Sequence, residues 1–410
     1  MENFIEAVFW EPAVWSSARR AAEGAVVVDD MTSVDAAVLT GVKRIAVLKR
    51  VVGQPKEGQV QVAINAVGIC GSDLAYWAKG VAGGFRELDF SEAGLRSGYC
   101  GQMGHECSGT VVAVGRGVSH LDIGDRVALE PGVPSCGGAG VGGACEHCRG
   151  GRYNLCTRMR FIGSAVNETP GALTTLFNHS AAFCYKLPDH VSLDEGAMFE
   201  PLCVALHAVS RARVKMGDAV LVTGAGPIGL MTALAAFAAG AATVAITDVV
   251  DAKLAKAREI GVQIALRADD PAVVDKAVDA LEALGGSKFD ACFECCGVPS
   301  AIDACASAAK SGGVVCVVAN HRPSVPAPLQ ELARREIDLV GVYRYCNLYP
   351  TALRLVASGK VDLKPLISKK FPMERIDEAF TYFASGEPVK VLIVPSDPVC
   401  EPCTLPKAPP

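Results

Sequence analysis

The stretch AVLVTGAGPIGLMTALAAFAAGAATVAIT (residues 219–247) decides the fold of this chain. It contains no charged side chain and is long enough to be considered as a membrane-spanning helix. Glycines near its start, and Gly240 further on, divide it into a strand, a turn, an apolar helix and a second strand. The stretch therefore predicts part of a parallel, doubly wound α/β sheet and argues against a membrane segment.

The turn in this stretch has the spacing of a dinucleotide-binding loop. Gly224 provides the tight turn, Gly226 allows a pyrophosphate to approach, and Gly229 allows the helix to pack on the strand. Pro227 opens the helix, whose N-terminal amides face the phosphates. Asp248 ends the next strand, where it accepts hydrogen bonds from ribose hydroxyls and repels a 2′-phosphate. This pattern predicts NAD as the cofactor in preference to NADP; the alternative is a glycine-rich turn that only packs a helix on a sheet.

The pattern of apolar residues divides the chain near residue 205. Short β-branched runs such as IAVLKRVV and QVQVAINAVGI predict antiparallel strands before this point. After it, strands and helices alternate, which predicts the doubly wound sheet. We therefore expect the following segments: an N-terminal extension (1–35), a β-rich catalytic domain (36–205, completed by 346–398), a nucleotide-binding domain (206–345) and a C-terminal tail (399–410).

The composition favours a soluble globular protein. Of the 410 residues, 50% are hydrophobic and 20% are charged, and the formal net charge is −5. This balance excludes intrinsic disorder and a broad basic surface for nucleic acid. The 17 cysteines are an odd number, and Glu2, Glu6 and Glu11 lie where an export signal would be basic and then apolar. We therefore expect a cytoplasmic protein with reduced thiols, some of them bound to metal.

Four cysteines in a glycine-rich region have the spacing of a closed metal site. Cys145, Cys148 and Cys156 follow Cys136 at short range. Four thiolates complete a tetrahedral zinc shell and leave no open position for chemistry, which predicts a structural zinc. The alternatives are unpaired cysteines of a reduced protein, or His147 in place of one thiolate.

A second group of residues has the composition of an open metal site. Cys70, His105, Glu106 and Glu200 supply one thiolate, one imidazole and two carboxylates. Three such ligands leave a position for a substrate oxygen, as catalytic zinc requires. Spacing alone leaves open whether these segments meet, and a buried cysteine and surface acids are the ordinary alternative.

The chain resembles the zinc-dependent medium-chain dehydrogenases, specifically their sorbitol or polyol dehydrogenase branch. The resemblance covers residues of about 36 to 395 and rests on these segments: GICGSDLAYW (68–77), GHECSGTVVAVG (104–115), GDRVALEPG (124–132), CEHCRGGRYNLC (145–156), AAFCYKLPDHVSLDEGAMFEPLCVALHA (181–208), VLVTGAGPIG (220–229) and YRYCNLYP (343–350). It implies a GroES-like catalytic domain and a Rossmann domain with the active site between them. The segment at 78–100 is longer than the family usually has.

The resemblance also implies roles for individual residues. Cys70, His105 and Glu106 correspond to the catalytic zinc ligands, with Glu200 as a further ligand or as the partner of the metal's water; which glutamate is the inner ligand stays open. Either Ser72 or the metal's water held by Glu200 is expected to be the first carrier of the departing proton. The residues expected in the polyol pocket are Tyr76, Phe161, Glu200, Arg344 and Tyr345. Those expected to contact NAD, besides the glycine loop, are Ile228, Asp248, Lys253, Val318 and Val342, although Lys253 has the alternative of a solvated helix residue.

The activity implied is zinc-dependent oxidation of a polyol of the sorbitol, xylitol or arabinitol type to the ketose, with hydride transfer to NAD. We further expect a homo-oligomer, a tetramer in preference to a dimer, with small-molecule substrates and neither nucleic-acid nor membrane partners. Two alternatives remain from the sequence: a related dehydrogenase of another secondary alcohol, of the butanediol or threonine type, or a catalytically inactive NAD-binding relative.

Overall fold

The computed structural model describes residues 31–82, 86–90, 101–137, 144–164, 169–321 and 324–395. The N-terminal extension up to residue 30, parts of the long 78–100 segment (83–85 and 91–100) and the tail 399–410 lie outside the described residues, and so do Cys400 and Cys403.

The N-terminal part of the chain is built mainly from antiparallel strands. Its strands are β1 (Met31–Gly41), β2 (Arg44–Gly53), β3 (Gln59–Gly68), β4 (Val81–Ala82), β5 (Arg86–Glu87), β6 (Glu106–Val114), β7 (Arg126–Leu129), β8 (Gly132–Pro134), β9 (Met159–Phe161), β10 (Leu176–Ser180) and β11 (Cys184–Lys186). Its helices are α1 (Gly71–Lys79), α2 (Glu146–Arg149), α3 (Leu193–Ala197) and α4 (Phe199–Arg211), with 3-10 turns at Tyr153–Leu155 and Ala181–Phe183.

The next part of the chain forms a parallel six-stranded sheet flanked by helices. Its strands are β12 (Ala219–Thr223), β13 (Thr243–Asp248), β14 (Ile264–Arg267), β15 (Phe289–Glu294), β16 (Ala309–Val317) and β17 (Asp338–Gly341). Its helices are α5 (Pro227–Ala239), α6 (Asp251–Glu259), α7 (Val273–Glu282), α8 (Pro299–Ala308) and α9 (Leu329–Arg334). The spatial order β14-β13-β12-β15-β16-β17 is that of a Rossmann sheet, with the reversal of strand order between β12 and β15. The doubly wound sheet predicted from the sequence is therefore confirmed.

The C-terminal part of the chain returns to the first sheet. It contains α10 (Tyr349–Ala357), β18 (Ile367–Pro372), α11 (Ile376–Ala384) and β19 (Lys390–Val394), with 3-10 turns at Lys364–Leu366 and Met373–Arg375. Strand β19 pairs antiparallel with β3, and the sheet order is β11-β7-β6-β3-β19-β18 with β10 also on β3. This pairing places the far end of the chain beside the residues that precede α1.

Two of the predicted segment boundaries fall inside elements. Strand β1 begins at Met31 and pairs with β2 along its whole length, so it crosses the boundary predicted at residue 35. The strand signal is weak there because only Met31 and Val34 are apolar among the first five residues of β1. Helix α4 likewise runs through the boundary predicted at residue 205.

Helix α4 joins the two parts of the fold through packing. Its buried side chains, among them Phe199 and Leu202, belong to the same apolar cluster as Val222 of β12 and Leu230 of α5. A separate apolar cluster fills the mixed sheet of the first part. Among the described residues, no helix combines the length and the hydrophobicity needed to cross a membrane.

Candidate active site and cofactor cleft

Three metal-ligating side chains meet where α1 and β6 begin. Cys70 immediately precedes α1, His105 immediately precedes β6, and Glu106 is the first residue of β6. Their ligand atoms lie within 4.8 Å of one another. Zinc bonds of about 2.0–2.3 Å place tetrahedral ligands less than about 4 Å apart, and sulfur, imidazole nitrogen and carboxylate oxygen are its usual ligands. The donor set therefore fits zinc, and the separations are within about 1 Å of those in a tetrahedral site.

The buried carboxylate of Asp73 connects the two segments that carry this cluster. Its Oδ2 accepts a hydrogen bond from the backbone amide of Cys70 (3.1 Å), and its Oδ1 accepts one from the amide of Gly104 (3.3 Å). The same Oδ1 lies 3.7 Å from Nδ1 of His105. Carboxylates in this position orient metal-binding histidines. The sequence analysis gave Asp73 no such role, although an acid in the first turn of a helix after Cys70 is the available signal.

A buried ion pair fixes Glu106. The Nζ of Lys390 lies 2.6 Å from Oε2 of Glu106, and both side chains are 1% exposed. Lys390 also donates to the carbonyl of Ile69 at 3.1 Å. Burial alone would lower the pKa of Lys390, but the charges of Glu106 and Cys70 raise it, so the amine stays protonated. Sequence reasoning missed Lys390; the signal is a lysine at the start of the otherwise apolar strand β19.

Glu200 lies next to the cluster without forming part of it. It occupies the first turn of α4 and is 5% exposed, and its carboxylate is not among the ligand atoms that lie within 4.8 Å of one another. Burial raises the pKa of Glu200 to about 7, against the opposing charge of His105. The sequence left the order of the two glutamates open, and the structure brings Glu106 to the thiol and imidazole.

Aromatic and cationic side chains border the cluster. The ring of Phe161 lies 5.5 Å from the ring of His105 and 4.0 Å from the guanidinium of Arg344. Arg344 has a φ of +53°, a strained conformation for a residue other than glycine. The buried hydroxyl of Tyr345 lies beside the carboxylate of Glu200. Tyr76 is 9% exposed. Burial and the negative charges of Asp73 and Cys70 raise its pKa to about 12. The residues predicted for the substrate pocket therefore lie around the cluster. Ser72, a predicted proton carrier, is half-buried in the first turn of α1.

The four cysteines predicted to bind a second metal converge. The sulfur atoms of Cys136, Cys145, Cys148 and Cys156 lie within 4.8 Å of one another. Cys136 Sγ and Cys148 Sγ are 3.4 Å apart, and backbone amides lower the pKa of Cys145 to about 6. Four sulfur ligands fit tetrahedral zinc. His147 is not part of this cluster, and residues 138–143 of the glycine-rich loop lie outside the described residues.

One glycine of the cofactor loop has free space where a side chain would lie, and another has none. Gly224 has a φ of +93°, which favours glycine. A Cβ at Gly226 would meet no atom within 4 Å, whereas a Cβ at Gly229 would lie 1.8 Å from the carbonyl oxygen of Gly224. The space beside Gly226 lies at the N-terminus of α5, which favours a pyrophosphate. The loop therefore fits a dinucleotide.

The carboxylate of Asp248 is held at the end of β13. Its Oδ2 accepts from the amide of Ala225 (2.7 Å) and its Oδ1 from the amide of Val250 (2.9 Å). Each oxygen retains a lone pair for a ribose hydroxyl. Lys253 is half-buried in the first turn of α6. The other residues expected to contact NAD lie at the start of α5 (Pro227, Ile228) and just after β16 and β17 (Val318, Val342).

Comparison with known proteins agrees with this geometry. The alcohol dehydrogenase GroES-like domain family matches residues 56–189, and the zinc-binding dehydrogenase family matches residues 227–358. Sorbitol dehydrogenase of Bos taurus is 42% identical over 342 residues, which cover 83% of this chain and 90% of that protein.

Two solved structures are similar along nearly their whole length. L-idonate 5-dehydrogenase from Escherichia coli aligns with a TM-score of 0.77 and 28% identity, covering 89% of this chain and 99% of that one. The 2R,3R-butanediol dehydrogenase from Bacillus subtilis aligns with a TM-score of 0.75 and 29% identity, covering 88% of this chain and 100% of that one. The chain belongs to the zinc-dependent medium-chain dehydrogenases, in the branch that contains the sorbitol dehydrogenases.

Proposed function

We propose that this protein oxidises a polyol of the sorbitol, xylitol or arabinitol type to the corresponding ketose and transfers the hydride to NAD. The observation that carries the proposal is the position of several buried or half-buried polar groups beside one metal-ligating cluster. Three polar side chains lie near Cys70 and His105, namely Arg344, Tyr345 and Glu200. Each of several substrate hydroxyls would therefore have a hydrogen-bond partner. The similarity to bovine sorbitol dehydrogenase supports the same substrate class.

Cys70, His105 and Glu106 would hold the catalytic zinc, with Glu200 beside them. When bound, zinc acts as a Lewis acid and lowers the pKa of a substrate hydroxyl. Asp73 fixes the orientation of His105 through its contacts with both segments. The positive charge of Lys390 balances the negative charge of Glu106. The thiolate of Cys70 and the carboxylate of Glu106 therefore have a cation beside them.

The residues around the cluster bind the polyol and exclude water. The guanidinium of Arg344 donates to two substrate hydroxyls from a rigid fork, which its stacking on Phe161 keeps in place. The hydroxyl of Tyr345, beside the carboxylate of Glu200, supplies a further contact to a substrate hydroxyl. Ser72 would relay the proton of the reacting hydroxyl, donating its own proton outward as it accepts that one; the metal's water held by Glu200 is the alternative first carrier. Tyr76 and Phe161 close the apolar side of the pocket.

The cofactor is held by the Rossmann part. Gly226 and the start of α5 receive the pyrophosphate, and Asp248 accepts hydrogen bonds from the adenosine ribose. A 2′-phosphate would meet the Asp248 carboxylate, which favours NAD over NADP. The contacts with the dinucleotide would be completed by four further residues, Lys253, Ile228, Val318 and Val342.

Cys136, Cys145, Cys148 and Cys156 would hold a structural zinc. This supports a reducing, cytoplasmic location, because four thiols bind a metal only in the reduced state.

We also propose a homo-oligomer, with a tetramer favoured. Strand β17 lies at the edge of the Rossmann sheet and exposes 44% of Leu339, and such an edge pairs with its own copy across a twofold axis.

A substrate panel tests the proposal. We expect reduction of NAD, measured by absorbance, with sorbitol, xylitol or arabinitol at a kcat/KM at least about tenfold above that for 2,3-butanediol or threonine. Arg344→Leu removes the donors but keeps apolar bulk, and we expect it to raise KM for polyols more than for butanediol. A higher kcat/KM for butanediol in the unaltered enzyme contradicts the proposal and favours a butanediol dehydrogenase, the activity that the similar Bacillus subtilis structure is named for.

A further inference from the structure

The segment of residues 343–347, which follows β17, carries two residues of the proposed substrate pocket, Arg344 and Tyr345. Its backbone is strained, because φ is +53° at Arg344 and +58° at Asn347, both in the left-handed region. Residues other than glycine keep such a conformation only where surrounding contacts fix it. The direction of the Arg344 side chain therefore depends on the contacts that hold this segment.

Three hydrogen bonds hold the segment at both of its ends. At the start, Nδ2 of Asn154 donates to the carbonyl of Tyr343 at 2.9 Å. At the far end, the backbone amide of Asn347 donates to the hydroxyl of Tyr153 at 2.7 Å. The side-chain Nδ2 of Asn347 also donates to the carbonyl of Gly151 at 2.9 Å. Contacts from one other part of the chain thus fix both ends of a strained segment.

The partners of these bonds belong to the four-cysteine region. Gly151, Tyr153 and Asn154 lie between the metal-ligating residues Cys148 and Cys156. The amide of Cys156 donates to the carbonyl of Tyr153 at 2.9 Å, so the turn that carries Tyr153 ends on a metal-ligating residue. The fold around the four cysteines therefore sets where these hydrogen-bonding atoms lie.

A buried carboxylate orients the hydroxyl of Tyr153. Glu130 is 0% exposed, and its Oε1 accepts a hydrogen bond from Tyr153 at 2.5 Å while its Oε2 accepts one from Tyr185 at 2.8 Å. Burial and the charge of Glu130 raise the pKa of Tyr153, so the phenol keeps its proton. The hydroxyl donates that proton to Glu130 and presents a lone pair to the amide of Asn347.

We propose that three residues outside the substrate pocket position Arg344 for polyol recognition, namely Tyr153, Asn154 and Asn347. By holding residues 343–347, they direct the guanidinium of Arg344 toward the substrate hydroxyls. This role rests on the proposed function, in which Arg344 binds the polyol. It gives the four-cysteine region a part in substrate affinity in addition to its part in the fold.

Steady-state kinetics of Tyr153→Phe with sorbitol, at saturating NAD, tests the proposal. The change keeps the ring but removes the hydroxyl that holds the amide of Asn347. We expect KM for sorbitol to rise at least about fivefold, as expected for the loss of one hydrogen bond. We expect kcat and the affinity for NADH to stay within about twofold, because Arg344 holds the substrate and the transition state alike.

Tyr185→Phe is the matched control. Tyr185 is also half-buried and donates to the same carboxylate of Glu130, but within the described part of the chain its hydroxyl makes no hydrogen bond to residues 343–347. Each change leaves Glu130 with one donor fewer, so we expect similar losses in melting temperature. KM for sorbitol should stay within about twofold in Tyr185→Phe. A merely structural role of Tyr153 would raise KM equally in both variants.

A double-mutant cycle with Arg344→Leu identifies the side chain through which Tyr153 acts. Arg344→Leu alone should raise KM for sorbitol, and Tyr153→Phe should then add less than about twofold, because the group that it positions is already absent. Asn347→Gly replaces Tyr153→Phe if that variant does not fold. Asn347 is exposed, and glycine adopts its φ without strain, so the loss of Nδ2 should raise KM at least about threefold in a folded enzyme.

Three results would overturn the proposal. They are an unchanged KM in Tyr153→Phe, an equal rise of KM in Tyr185→Phe, and an undiminished effect of Tyr153→Phe in the Arg344→Leu enzyme. An Arg344→Leu enzyme with an unchanged KM for sorbitol would overturn the proposed role of Arg344 as well. A raised KM in Arg344→Leu together with a normal KM in Tyr153→Phe would overturn the positioning role alone.

Discussion

Asp73 links the residues that deliver the thiolate and the imidazole of the proposed zinc site. Asp73→Asn retains the shape of the side chain but removes the negative charge beside His105. We expect zinc affinity to fall by roughly 10–100-fold, the usual effect of losing a carboxylate that orients a metal-binding histidine. Competition with a chromogenic chelator measures this. Asp269→Asn, an exposed change in the Rossmann part, is the control. Unchanged zinc affinity in Asp73→Asn would remove Asp73 from the metal site.

At the scale of single residues, the sequence predicted which side chains would do the chemistry but not the contacts that support them. Motif spacing and family resemblance pointed to Cys70, His105 and Glu106, and the structure brings these three together. The ion pair between Lys390 and Glu106 was not foreseen. It joins residues on strands far apart in the chain, and no local pattern reports a contact over that separation.

At the scale of elements, substitutions at two glycines of the cofactor loop test cofactor binding and folding separately. A methyl group at Gly226 meets no protein atom, so Gly226→Ala should fold normally and bind NADH at least about tenfold more weakly, because the methyl occupies the space of the pyrophosphate. A methyl at Gly229 collides with the Gly224 carbonyl, so Gly229→Ala should lower the melting temperature by separating α5 from β12. NADH fluorescence and thermal denaturation measure the two effects. Normal NADH affinity in Gly226→Ala would contradict this location for the cofactor.

Regular elements were predicted well where periodicity was strong. The apolar helix predicted between Pro227 and Gly240, and the strands on either side of it, agree with α5, β12 and β13. The start of β1 was missed because its first residues, Met31 to Ser33, are exposed and lack an apolar alternation. Its pairing with β2, rather than its own residues, defines that end of the strand.

The whole molecule has an exposed sheet edge at β17, which supports self-association. Leu339→Lys places a charge on this edge, and lysines on edge strands oppose pairing between copies. We expect the mass measured by light scattering to fall from that of the proposed tetramer to that of a smaller species. Leu284→Lys, at an exposed position away from β17, should leave the mass unchanged. An unaltered mass for Leu339→Lys would exclude this edge from the interface.

Return of the C-terminal strand to the first sheet completes the metal-binding region, because β19 carries Lys390 next to Glu106. Sequence spacing suggested this return, but only the pairing of β19 with β3 gives its register. The register is set by packing between distant segments, which local propensity does not encode.

The most direct measurement of the central claim compares sorbitol oxidation and NADH binding in Cys70→Ala. If Cys70, His105 and Glu106 hold the catalytic zinc, the variant should lose one catalytic zinc per chain and at least about a hundredfold in kcat/KM, because the Lewis acid supplies several kcal/mol. Its affinity for NADH, measured by fluorescence, should stay within about twofold, since the glycine loop is untouched. Full oxidation of sorbitol by a Cys70→Ala enzyme that lacks this zinc would contradict the account.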